Sequence, residues 1–471
     1  MLWEGETLPL AAALQMKRGA VLYRDVWFDK PPLVPAVYLL WGAATGAPLR
    51  MAGAVFDLLA CLLAYAAGTT LWTRREGYLA AALLAFFLIF DTHSGVVPLA
   101  ADSLLLVPHL AAILLALRRQ AFWSGVAAGV GFLFNAKAVF VLAACALFAW
   151  PAAIPLAAGF ALPNIIALAW LAGAGALGPW IDQAWRWPAQ YAASPVVSNP
   201  VANGIVRTLN WLGFHAVLAI GFALYWWRER NWKFLAWAAL SYAGVVLGWR
   251  FFPRYFFLLL PVLVLAAARG LVPPMWGNLQ LAAAFRRLSG PVDDPRLQGT
   301  GAARLRVLAV LALLTMAVPL VRFGPRYLAL PGWSDLSMDG DSRAASSLVL
   351  SLARPGATLY VWGYRPEIFV YTGLKPATKY LECQALTGVP ADRHLTQSTA
   401  VLTQGTREAR EELARARPDI LIDGLTLFNP ALGMSRYPEL RPWLAQYHEV
   451  ARTPETVIYT RNDYNRKGDS F

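Results

Sequence analysis

Apolar runs of roughly one to two dozen residues, divided by short polar turns, follow one another from about residue 49 to residue 322. A bilayer-spanning helix needs about 20 apolar residues, somewhat fewer where helices bury one another. The pattern predicts ten spans, at roughly 49–71, 77–90, 100–117, 121–135, 138–150, 154–172, 211–227, 233–249, 256–270 and 305–322. The Trp150-Pro151 pair divides the stretch 138–172 into two of them. Residues 1–30 read as polar, with no apolar region of the kind found in signal peptides.

After Arg326 the periodicity changes. Ala357–Gly363 predicts a buried strand followed by a short helix near Pro366, with further strands at Ile420–Asp423 and Thr456–Thr460. Thr406 is the expected cap of a charged helix, 407–416, that Pro418 stops. Alternating strand and helix indicate a small α/β layer of about 140 residues. The expected fold class is therefore mainly α: a polytopic membrane helical bundle with a C-terminal extracytoplasmic α/β domain. Its expected divisions are a first external loop with juxtamembrane helices (1–48), a transmembrane helical domain (49–324) and the α/β domain (325–471).

Composition supports a membrane chain: 58% of residues are hydrophobic and 15% charged, against about 45–50% and about 25% in soluble domains. A net charge of +13 raises nucleic acid as a partner, but the placement of the cations removes it. Arg74 and Arg75, Arg118 and Arg119, Arg228, Arg230 and Lys233, and Arg286, Arg287, Arg296 and Arg304 occupy alternate turns. By the positive-inside rule those turns are cytoplasmic. Residues 1–48, 91–99, 136–137, 173–210, 250–255 and everything after 322 then lie outside. Ten spans with both ends outside lead to the expectation of a further span ahead of Met1. Cys61 and Cys145 fall in apolar runs and Cys383 stands alone, so neither a disulfide framework nor a cysteine metal site is expected. Trp180, Trp185, Trp187 and Tyr191 read as an interfacial helix.

The candidate chemistry gathers in the external segments. Tyr23–Leu33 packs Arg24, Asp25, Asp29 and Lys30 among aromatics just before an apolar helix. Pro31-Pro32 is expected to hold Asp29 and Lys30 in an extended loop. Charges held at a membrane boundary suit a substrate with a charged head and a lipid tail; an ordinary helix-capping loop is the competing reading. Asp25 and Asp29 adjoin cations, which suits salt bridges or metal more than proton acceptance, whereas Glu4 and Glu6 have no basic neighbour. Asp91 and His93 form an Asp-x-His pair that can ligate metal or simply anchor a loop. Asp102 lies where a span re-enters the membrane, where an acid is usually functional or paired. Lys137, Arg250, Arg254 and Tyr255 stand at external turns, as lipid-phosphate contacts or headgroup anchors.

The Tyr-Arg-Asp-x-Trp-x-Asp-Lys-Pro-Pro-Leu segment, the bundle, and a tail carrying Val361–Pro366 and Tyr371-Thr372-Gly373 together resemble one family. It is that of the bacterial lipid-dependent glycosyltransferases of the GT-C fold, related to protein mannosyltransferases and to the aminoarabinose transferase of lipid A. The resemblance implies a multi-pass enzyme of the plasma (inner) membrane. It would move a sugar, with inversion, from a polyprenyl-phosphate donor to a hydroxyl of a protein, lipid or glycan acceptor. It further implies a carboxylate base in the first loop, where Glu4 and Glu6 stand in place of an Asp-Glu pair. Lys30 matches the lysine that meets the lipid phosphate, and Asp29 an acidic neighbour that helps some relatives bind a divalent ion. Asp25, Asp102, Lys137, Arg254 and Tyr255 complete the implied donor site. A polytopic transporter and a lipid-linked glycan polymerase or ligase are the alternatives. The transporter is disfavoured because no repeated halves are visible and the ionisable residues gather at one membrane face.

Overall fold

The structure, a computed structural model, describes residues 1–91, 98–193, 199–276, 307, 310–328, 334–391 and 395–464. The chain divides into two compact units: residues 1–49, 170–194 and 331–471, and residues 50–169 and 195–330.

The second unit is a bundle of apolar helices, among them Arg74–Phe90, Leu106–Leu117, Ala121–Phe134, Ala138–Ala149, Ala216–Glu229, Trp232–Val246 and Leu260–Trp276. These segments are rich in Ala and Leu, the strongest helix formers. Polar turns start them: Thr73 Oγ accepts the Arg75 N–H and Asn231 Oδ1 accepts the Lys233 N–H. Helices Ala47–Leu71, Ala138–Gly173 and Pro253–Val272 are each long and apolar enough to cross a membrane. The predicted break at Trp150-Pro151 is a 3₁₀ turn, Trp150–Ala152, within the 36-residue helical stretch Ala138–Gly173. The span predicted at 211–227 needs correction. Its first residues belong to helix Pro200–Phe214, and the chain turns by 89° before Ala216–Glu229. Periodicity missed this because both helices are apolar on either side of His215.

Helices of this bundle meet backbone to backbone. A Cβ on Gly270 would overlap the Gly221 carbonyl, so helices Leu260–Trp276 and Ala216–Glu229 approach only because both positions are glycine. At one end of the bundle Arg269 donates to Glu76 (2.7 Å) and to Glu229 (2.5 Å). That ion cluster brings together two turns that the alternating topology puts on one side.

The first unit holds a five-stranded sheet: β1 (Thr358–Trp362), β2 (Lys375–Pro376), β3 (Ile420–Asp423), β4 (Tyr447–Arg452) and β5 (Val457–Arg461). The strand order is β2-β1-β3-β5-β4, with β1 parallel to both neighbours and β5 antiparallel to both of its own. β1, β3 and β5 stand where the apolar runs predicted. β2 is two residues long and β4 is a partly exposed strand with charged positions, so neither has a buried-strand signature. The charged helix is Gln404–Arg415, and its cap is Thr403 rather than Thr406. Thr403 Oγ accepts the Thr406 N–H (3.2 Å) while Thr406 Oγ accepts the Thr403 N–H (3.0 Å).

The opening segment also differs from expectation. It forms helix Glu4–Lys17, with Leu8 and Leu10–Ala13 buried. The Leu2 N–H donates to Asp339 (3.0 Å), Arg18 to the Gly373 carbonyl (2.8 Å), and the Trp27 N–H to the Lys379 carbonyl (2.9 Å). Segments joined by such bonds lie on one side of any membrane, so the stretch around Leu2–Trp27 and that around Asp339–Lys379 share a side.

Candidate functional site

Each unit organises one polar centre. In the first unit it is the loop before Pro31. Tyr23 takes a left-handed conformation, φ 68°, and its N–H bonds back to the Val26 carbonyl (2.8 Å). The Tyr23 hydroxyl donates to the Lys30 carbonyl (2.6 Å). Gln183, buried in the π-helical turn Asp182–Arg186, spans the loop like an added backbone unit. Its Nε2 donates to the Tyr23 carbonyl (2.8 Å) and its Oε1 accepts the Phe28 N–H (2.9 Å). The loop shape therefore rests on these bonds as well as on the two prolines.

Both Asp29 oxygens are engaged, Oδ1 by Lys30 Nζ (2.8 Å) and Oδ2 by Gln384 Nε2 (2.9 Å). Burial by itself would raise the Asp29 pKa. The Lys30 charge and the hydrogen bonds from Lys30 and Gln384 outweigh it and hold the carboxyl below its ordinary value. Asp25 is exposed and held in a fork by Arg24 (2.9 and 2.8 Å), with a further bond from the Val21 N–H (2.8 Å). This is the salt-bridge role, and it draws Asp25 away from a ligand contact. Glu6 is buried, and its Oε2 accepts the Trp3 N–H (3.2 Å) at the start of helix Glu4–Lys17. Glu4 opens that helix; its side chain lies outside the described residues.

The second centre lies within the bundle and unites four predicted residues. Asp102 sits on the short helix Ala101–Leu104, where Ser103 Oγ accepts the Ala100 N–H (2.9 Å). Asn135 Nδ2 donates to Asp102 Oδ1 (2.9 Å), and Asn135 Oδ1 accepts the Lys137 N–H (3.1 Å). Arg254 Nε stands 3.7 Å from Asp102 Oδ2. Lys137 is 9% exposed, and its ammonium lies 3.0 Å from the centre of the Tyr255 ring. That ammonium has no hydrogen-bond acceptor among the described residues. Burial pushes its pKa down to about 8, with Asp102 opposing the shift and Arg254 adding to it.

The approach to Arg254 is strained. Gly248, Trp249 and Phe251 have φ of 81°, 55° and 47°, and the Phe251 ring packs where a Cβ on Gly204 would stand. Asp102 and Arg254 both act on the Lys137 charge, Asp102 favouring the ammonium and Arg254 opposing it.

The metal expectation finds no support in the geometry. Asp91 Oδ1 faces His215 Nε2 at 3.2 Å in the interior, and the His215 ring stacks on Trp211 at 3.8 Å. His93 lies outside the described residues. Among the described residues no three His, Cys, Asp or Glu side chains converge, and Asp29 has both oxygens committed.

Asn135, Gln183, His215 and Gln384 were not foreseen as site residues. Asn135 carried one usable signal, an amide between two apolar runs. Gln183 sits among tryptophans and Gln384 in a mixed tail, where an amide is unremarked.

No family model and no curated protein matches the chain. Among solved structures it is similar to ArnT from Cupriavidus metallidurans in the apo state. The identity is 15%, the TM-score 0.58, and the alignment covers 98% of this chain and 93% of that one. It is also similar to the archaeal oligosaccharyltransferase AglB from Archaeoglobus fulgidus, in complex with an inhibitory peptide and a dolichol-phosphate. There the identity is 13%, the TM-score 0.50, and the coverage 98% and 70%. At this level of identity the likeness establishes the fold.

Proposed function

Taking the GT-C fold as its starting point, we propose that this chain is an integral-membrane glycosyltransferase. It takes a sugar from a polyprenyl-phosphate donor and passes it to a hydroxyl acceptor on the outer face of the plasma membrane. The observation that carries this reading is the buried Lys137 ammonium beside Arg254, Asp102 and Tyr255, with no hydrogen-bond acceptor of its own among the described residues, in an apolar bundle. A lipid-borne phosphate is an anion able to reach such a place. The solved complex of AglB with a dolichol-phosphate supports the same ligand class.

In the proposed reaction the acceptor oxygen attacks the anomeric carbon as the bond from that carbon to the phosphate oxygen breaks. The polyprenyl phosphate leaves with the bond's electron pair, and the anomeric centre inverts. Lys137 and Arg254 stabilise the charge growing on the leaving phosphate. The base that takes the acceptor's proton is the first-loop carboxylate that the sequence resemblance implies, Glu4 or Glu6. Asp29 is the less suitable acceptor because Lys30 and Gln384 favour its ionised form. Lys30 answers first to Asp29 and contributes its remaining donors to the donor headgroup.

The full chain, reconstituted with a polyprenyl-phosphate sugar and a mixed pool of acceptors, should release polyprenyl phosphate. Glu4→Gln or Glu6→Gln should reduce turnover by about 10²–10⁴-fold with donor retention unchanged. Envelope glycans compared by mass spectrometry with and without the gene would identify the product. Identical glycans, with no release from any donor offered, would exclude the transferase reading.

A further inference from the structure

We propose that Gln384, from the C-terminal α/β part of the chain, is a positioning residue that locks the Asp29–Lys30 pair in the loop before Pro31. The proposal rests on the transferase reading for its consequence and on geometry for its substance.

Gln384 is 3% exposed and opens the short helix Gln384–Thr387. Its amide has one satisfiable orientation. Oε1 accepts the Ala391 N–H (3.2 Å), which leaves Nε2 to donate to Asp29 Oδ2 (2.9 Å). The seat beneath it is firm. The Cys383 N–H bonds to the Gly363 carbonyl just past β1 (3.1 Å), and Arg410 donates to the Leu386 carbonyl (2.5 Å). With Gln384 on one oxygen and Lys30 on the other, Asp29 cannot rotate without losing a bond, and Lys30 is held with it. The sheet domain thus fixes, through one amide, the Asp29–Lys30 pair, whose carboxylate is mostly buried.

Gln384→Glu and Gln384→Met separate positioning from mere packing. Methionine keeps the volume and removes both hydrogen bonds. A protonated glutamic acid reproduces both: its carbonyl oxygen accepts the Ala391 N–H and its O–H donates to Asp29. The ionised form instead places like charges together. The titratable groups around the contact are Lys30 and Tyr23 in the loop, with Glu382 and Cys383 beside Gln384 in the chain. All of them are common to the two variants, so the difference between the variants isolates the new carboxyl.

The experiment uses the full chain in detergent, with melting and sugar transfer from a polyprenyl-phosphate sugar measured at pH 5.5 and 7.5. At pH 7.5 both variants should lose about tenfold in turnover. At pH 5.5 the Gln384→Glu variant should recover to within about threefold of wild type at that pH, while Gln384→Met does not. The melting temperature of Gln384→Glu should rise as pH falls, because a carboxyl whose folded pKa is raised stabilises below that pKa. Variants that behave alike at both pH values overturn the proposal. So does melting that inverts while turnover of both variants stays equal. If melting inverts as expected but wild type transfers no sugar, the contact stands and the transferase reading falls.

Discussion

In the unit that carries the sheet, Arg365 donates to Asp341 (2.9 Å) and to Glu455 (2.5 Å), and Arg410 to Glu439 (2.5 Å) and the Leu386 carbonyl (2.5 Å). The helical unit does the same at one end only, where Arg269 meets Glu76 and Glu229. At its Asp102 end the buried Lys137 ammonium has no hydrogen-bond acceptor among the described residues, while Arg254 approaches Asp102 at 3.7 Å. A buried charge with saturated partners is part of the architecture. A buried charge left short of acceptors is costly unless a ligand completes it. The contrast sets cations held by carboxylates apart from Lys137, the cation that the proposed function uses.

The sharpest way to break this comparison is to disrupt the bundle itself. Gly270→Leu drives a side chain into the Gly221 backbone and should cost more than about 3 kcal/mol, since the helix backbones must separate. Size-exclusion chromatography in detergent should then show no monodisperse protein; a normally folded variant would mean that the seam is looser than described.

Next come two lysine and arginine truncations with opposite expectations. Arg365→Met strands Asp341 and Glu455 and should lower stability by about 3–5 kcal/mol. Lys137→Met removes an underpartnered buried cation, so its melting temperature should hold or rise. Its affinity for a polyprenyl-phosphate sugar should nevertheless fall by about tenfold to a hundredfold, the worth of a charge-assisted contact of about 1.5–3 kcal/mol. Equal destabilisation by both substitutions would make Lys137 structural.

A milder effect is expected from pH. Because the free Lys137 ammonium has its pKa lowered to about 8, donor affinity should be level below that value and decline as pH rises above it. Lys137→Arg should flatten the decline, because guanidinium stays charged. A decline identical in both proteins would place the titrating group elsewhere.

The smallest expected effect concerns Asp29. Its folded pKa is depressed, so its contribution to stability is present above the unfolded value and is lost as pH falls through the folded one. Asp29→Asn should therefore make melting less sensitive to acid below about pH 4. An unchanged acid limb in the variant would show that the Lys30 and Gln384 contacts do not distinguish the ionised form.

Much of the fold was readable from local pattern, because spans and buried strands each need a continuous apolar run. The misreadings occurred where a run does not reveal direction or environment. Nothing local distinguishes the 89° turn at His215 from continued helix, and helix Glu4–Lys17 packs both on residues 33–41 and on helix Glu367–Thr372, far along the chain. The charged loop stood out from its composition as a candidate. Its actual supports, Gln183 and Gln384, did not, because an amide announces nothing until its partner is known.

Sequence alone determined that this is a membrane bundle with a mixed α/β tail, and it singled out the charged residues before Pro31 as candidate chemistry. Those conclusions follow from hydropathy and charge, which are properties of short segments. Only the tertiary structure decided which charges are already neutralised. Asp25 closes on Arg24 and Asp29 on Lys30 and Gln384, while Lys137 is left over the Tyr255 ring. Electrostatic work depends on distance and burial, and folding sets both by bringing together residues far apart in the chain.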